Sequence, residues 1–135
     1  MLLLQLKIAG GCMIALSVLH LVFPKRFNWK QDLAKLEDIN RQIFLVHCFF
    51  ICLILVLMGV LCAFFGEAFL QGGELRKLLA GGCAIFWGVR LFIQHFVYDS
   101  ALWKGKLLET FVHVIFTLLW SYFTLVFLWV LVSAP

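Results

Sequence analysis

Apolar residues fill four long stretches of this chain, at residues 2–23, 41–65, 75–98 and 107–132, and polar residues collect in the short intervals between them. A helix needs about 20 residues to cross the hydrocarbon of a bilayer, and each stretch reaches that length. The pattern therefore predicts four membrane-spanning helices in an all-α, single-domain chain. Pro24 closes the first stretch. The sequence GEAFLQGGE separates the second from the third, and DSALWKGK the third from the fourth. Turns this short between consecutive spans imply an up-down-up-down four-helix bundle. The interval at 24–40 is longer. Its Phe27, Trp29, Leu33, Leu36 and Ile39 recur at roughly helical spacing, so a short amphipathic helix on the membrane surface is expected between the first two spans.

Composition agrees with lipid as the solvent. Hydrophobic residues make up 64% of the 135 and the mean hydropathy is +1.06, against about 45–50% apolar residues in soluble domains. The first stretch is read as a retained span and not as a cleaved leader. It has no basic segment ahead of its apolar run, Lys7 interrupts that run, and no small-residue cleavage site follows. The five cysteines all fall within apolar stretches and form no CxxC pair, so they are expected as buried free thiols.

Charge orients the bundle. Lys25, Arg26, Lys30, Lys35, Arg41, Lys104 and Lys106 lie in or beside the first and third intervals, whereas Lys7, Arg76 and Lys77 lie toward the opposite side. The positive-inside rule then places the first group in the cytoplasm and both termini outside it, as in a bacterial inner-membrane protein. The net charge of +4 is explained by this topology and by anionic lipid heads, and nothing points to nucleic acid.

An internal echo links the spans in pairs. KIAGGCMI in the first reads like LLAGGCAI in the third, and FLVHCFF in the second like TFVHVIF in the fourth. Two parallel, pseudo-repeated hairpins would produce such an echo. The paired glycines Gly10, Gly11, Gly81 and Gly82 would let helix backbones approach closely.

The candidate chemistry comes from the four histidines. His20, His47, His95 and His113 fall one to a span, and alternating span directions would bring all four to the cytoplasmic level. Imidazoles gathered in a bundle core are a usual place to bind zinc, copper or iron, and two of them can clamp a b-type haem. Glu109, Asp99, Gln94 and Tyr98 lie near the same level as partners that would orient the rings. Arg90 and Arg41 are the candidate holders of an anionic group, such as a haem propionate or a lipid-like substrate head. Arg90 is the costliest, since an ionisable group within a membrane needs a partner or a cavity. Glu109 or Asp99 is its expected counter-charge. HExxH and the paired Glu-x-x-His of di-iron bundles are both absent. The layout is similar in outline to the small membrane b-type cytochromes, an architectural likeness that transfers no residues. The leading functional expectation is a metal- or haem-binding membrane protein engaged in redox or interfacial lipid chemistry, with a quinone or lipid-like partner. The alternative is a non-catalytic structural or accessory subunit that self-associates or packs into a larger membrane complex. Tryptophans near span ends fit an aromatic belt. Trp87 and Trp120 lie deeper, where packing is the expected role.

Overall fold

The structure, a computed structural model, describes residues 1–133. It is all-helical among those residues. Four long helices carry the four apolar stretches: α1 (Leu2–His20), α4 (Asp38–Phe64), α5 (Glu74–Phe96) and α6 (Leu107–Val132). All four are long and apolar enough to cross a membrane. Much of their surface is exposed leucine, isoleucine, valine and phenylalanine, as lipid would require.

The interval after α1 departs from expectation. Instead of one amphipathic helix it holds two single-turn helices, α2 (Phe23–Arg26) and α3 (Trp29–Leu33). Asn28 breaks them apart with φ at 53°, the left-handed region that asparagine tolerates better than most residues. Phe27, Leu36 and Ile39 consequently stay exposed. The other two intervals contain short 3-10 turns, at Gly66–Phe69 and Ser100–Leu102. α4 also begins three residues earlier than the apolar pattern implied, and α1 and α5 end earlier.

The chain divides into two compact units, one spanning Leu4–Gly66 and the other beginning at Glu67. In the first unit α1 and α4 run antiparallel. Gly10 meets Gly59 and Ala63 near one end of the pair, and Ser17 meets Cys52 toward the other. A Cβ on Gly10 would lie 2.6 Å from the Ala63 nitrogen and 2.6 Å from the Gly59 oxygen. A Cβ on Gly59 would lie 2.7 Å from Ile14 Cγ1 and 2.9 Å from the Gly10 oxygen. Only hydrogen fits at either position, which sets how closely these backbones pack. One helical stretch onward, the Ser17 hydroxyl donates to the Cys52 carbonyl at 3.0 Å.

In the second unit α5 and α6 also run antiparallel. Trp87, 1% exposed, stacks on Trp120 with ring centroids 5.2 Å apart and planes 15° from parallel. Phe123 packs against Trp87 at 4.6 Å. Phe69, from the turn before α5, is fully buried and meets Phe127 at 5.7 Å. Arg76, only 7% exposed, donates from Nε and Nη2 to the Val130 carbonyl at 3.1 and 2.5 Å. That carbonyl is one of the last four of α6, which have no partner within their own helix. A cation placed there also complements the negative end of the helix dipole.

The shared AGGC tag does not mark one packing environment. Gly10 lies at a backbone contact, whereas a Cβ on Gly81 would reach only Leu131 Cδ1, at 4.0 Å. Gly11 and Gly82 face open space.

Candidate functional site

The polar residues that α5 and α6 present to each other form a ladder at the end of this hairpin nearest the 99–106 connection. On α5, Trp87, Arg90 and Gln94 succeed one another at spacings of three and four, so they share a face. On α6, His113, Thr117 and Trp120 do the same. With Trp87 stacked on Trp120, the register places Gln94 beside His113 and Arg90 beside Trp120.

Arg90 is half-buried. Its guanidinium carbon lies 4.8 Å from the centre of the Trp120 ring and 5.5 Å from that of Tyr98. Its Nη1 donates to Gln94 Oε1 at 3.2 Å. Asp99, one expected counter-charge, instead accepts from the Ala101 backbone N–H at 2.8 Å and caps the turn that follows. Glu109 lies half-buried on α6, one turn before His113. Arg90 is thus held by two aromatic faces and an amide. Cation–π contacts are worth roughly 0.5–2 kcal/mol each. A charge inside a bilayer costs at least about 2.5–3.5 kcal/mol. The rings and amide can offset much of that cost, but they do not neutralise the charge.

Gln94 fixes the state of His113. The amide is 5% exposed, and its Oε1 faces two groups that can only donate, Arg90 Nη1 and Trp120 Nε1, the latter at 3.4 Å. Its NH2 must therefore face His113 Nδ1, 2.8 Å away. His113 accepts there and carries its proton on Nε2. Trp103, from the connection, lies flat on the same ring, with centroids 3.9 Å apart and planes 10° from parallel. Thr110 Oγ1 donates to the Trp103 carbonyl at 2.8 Å and holds that residue in place.

The other three histidines behave differently. In each, Nδ1–H donates to the carbonyl one turn back: His20 to Leu16 at 2.8 Å, His47 to Ile43 at 2.7 Å and His95 to Leu91 at 3.1 Å. His20 also packs against Phe23 at 4.7 Å. His47 and His95 are exposed. His95 adjoins Gln94 in sequence, but one residue is about 100° of helix, enough to turn it off the face that meets α6. Arg41 lies at the start of α4, paired with Asp38 at 2.6 Å. Among the described residues, no three His, Cys, Asp or Glu side chains are grouped to hold a metal ion.

Two polar atoms on this hairpin are buried without a hydrogen-bond partner, Trp87 Nε1 and Thr117 Oγ1. Each is a group that pairing would favour by about 1–3 kcal/mol.

The fold and the cluster together describe a helical protein with four helices apolar enough to cross a membrane, carrying an aromatic-lined arginine within one of them. No protein-family model, no curated protein and no solved structure matches the chain.

Proposed function

We propose that this chain is a small integral membrane protein that uses Arg90 to bind the acidic end of a lipid-like molecule within the bilayer. The observation that carries this reading is that Arg90 is held by Trp120, Tyr98 and Gln94, with no carboxylate in ion-pair contact among the described residues. A guanidinium has five N–H donors in a fixed fork, and Gln94 occupies Nη1. The remaining edge matches a carboxylate or phosphate in two-point geometry. The rings that flank the cation suit the apolar chain of the same molecule. In this reading the 24–40 and 99–106 connections face the cytoplasm, on the strength of their lysines and arginines.

The test is photocrosslinking in lipid nanodiscs with a palmitic acid analogue that carries a diazirine near its carboxyl group. Adducts should concentrate on residues 94–98 and 113–120, compete with unlabelled palmitate and vanish with the methyl ester. Adducts spread along every lipid-facing helix, without competition, would overturn the proposal.

One observation favours a second reading, a transition-metal (iron, copper or zinc) or haem b site serving electron transfer with a quinone. His20, His47 and His95 each donate Nδ1–H to a carbonyl. That leaves Nε2 with its lone pair, the usual state of a metal-binding imidazole. His113 differs. For its Nε2 to ligate, the Gln94 amide would have to turn its NH2 toward Arg90 and Trp120, both of which are donors.

A further inference from the structure

We infer that His113 is a proton-binding site whose protonation reverses the Gln94 amide and releases Arg90. The effect on ligand affinity rests on the reading of Arg90 given above. The switch itself rests only on the contacts of Gln94.

One amide links the two groups. Gln94, 5% exposed, lies 2.8 Å from His113 Nδ1 on its NH2 side. On its other side Oε1 lies 3.2 Å from Arg90 Nη1 and 3.4 Å from Trp120 Nε1. With a neutral ring, every one of these contacts joins a donor to an acceptor. An imidazolium carries hydrogen on both nitrogens. Its Nδ1–H and the amide NH2 would then be two donors facing each other at hydrogen-bond distance. Tilting the ring away is opposed by Trp103, which lies flat on it with centroids 3.9 Å apart and is tied down by Thr110. Turning the amide over needs no movement of the backbone. Oε1 then accepts from Nδ1–H, and the NH2 faces Arg90 and Trp120. Arg90 Nη1 loses the amide as acceptor, and water cannot readily replace it at a side chain buried this deeply.

The charges around His113 set the sign of the effect. From α5, Arg90 lies beyond the amide. On α6, Glu109 is half-buried one turn before His113. In the connection, Asp99 accepts from the Ala101 N–H, and Lys104 and Lys106 are exposed. Protonation therefore adds a cation beside Arg90, which opposes it, while Glu109 favours it. An anion on the guanidinium removes the opposition and takes the place of Oε1 at Nη1. Proton and anion thus favour each other, and by linkage each raises the affinity for the other. Affinity for an anionic amphiphile should rise as pH falls from about 8 to about 5, the range in which an imidazole changes charge.

Two measurements on the full chain in nanodiscs of zwitterionic lipid test this. The first needs no ligand: nitrogen-15 NMR of the His113 ring, the Gln94 amide and the Arg90 guanidinium across that pH range. His113 should pass from hydrogen on Nε2 alone to hydrogen on both nitrogens, and the Gln94 and Arg90 signals should move with the same midpoint. A ring that stays neutral at about pH 5, or that titrates while Gln94 and Arg90 stay fixed, would overturn the switch. The second is quenching of tryptophan fluorescence by a hexadecyl sulfonate bearing a nitroxide near its head, an anion whose charge is constant over the range. Its affinity should be about fivefold or more higher at pH 5 than at pH 8. His113→Asn should abolish that difference and Glu109→Gln should keep it. Saturable binding with equal affinity at both pH values would overturn the switch and leave the lipid reading standing. A difference lost in Glu109→Gln but kept in His113→Asn would overturn it as well, by moving the proton to the carboxylate. With no saturable binding at either pH the lipid reading falls, and the NMR titration alone decides the switch.

Discussion

Arg90 shows what a single residue can and cannot disclose from sequence. A lone cation within an apolar stretch was legible as the costliest polar position of the chain. Its surroundings were not, because they depend on helix register. The Trp87–Trp120 stack and the Arg76–Val130 contact set that register, and together they place residues near 120 opposite Arg90. Glu109 lies eleven positions from Trp120, about 16 Å along α6, so equal depth from the helix ends was a poor guide to pairing. The histidines carry a similar lesson. All four were visible as candidates, yet the tautomer that separates His113 from the others comes from Gln94, whose amide orientation is dictated by two donors on the far side. This has a consequence for any metal or haem. If the second reading holds, gently purified protein should carry near-stoichiometric metal, or a haem absorption band. His20→Ala or His47→Ala should lower that content severalfold, and His113→Ala should not. Preparations with no metal and no visible band, or with loss confined to His113→Ala, would count against it.

At the scale of elements, length and hydropathy were enough to find the four long helices, because the bilayer criterion is mostly a matter of run length. In the 24–40 segment the apolar spacing runs straight through Asn28, whose left-handed backbone ends one turn and starts another, a break that spacing alone does not reveal. Phe69 is hidden from sequence for a related reason. It lies in a polar, glycine-rich interval, and only the turn at Gly66–Phe69 carries it against Phe127. The glycines were found as a class, but sequence could not rank them, since adjacent positions on a helix face different surroundings. Here the structure makes a sharp distinction. Gly10→Ala would press a methyl group on the Ala63 nitrogen and the Gly59 oxygen. Backbone cannot step aside as a side chain can, so the cost should be about 1–3 kcal/mol, as for other overpacked sites. Gly11→Ala meets open space and should be neutral or stabilising by up to about 1 kcal/mol through helix propensity. Thermal unfolding in detergent, followed by helical circular dichroism, compares the two. A lower midpoint for Gly10→Ala alone is the expected result. Equal midpoints would mean that α1 and α4 do not pack at this point.

The chain divides into two compact units and has few charges, and its exposed surface is dominated by aliphatic and aromatic side chains. Against that background, Arg90 and the polar groups around it stand apart as a half-buried cation and its partners within a membrane-length helix. Trp120 stands beside the guanidinium and Trp87 stacks on Trp120, so the protein carries its own reporters. The most direct measurement is quenching of tryptophan fluorescence by stearic acid bearing a nitroxide near its carboxyl group, in nanodiscs of zwitterionic lipid. The account predicts saturable quenching of the wild-type protein. Half-saturation should shift upward about tenfold or more in Arg90→Gln, the equivalent of one lost charge-assisted hydrogen bond, and the nitroxide methyl ester should behave like the variant. Superimposable curves for wild type and Arg90→Gln, or for acid and ester, would contradict it.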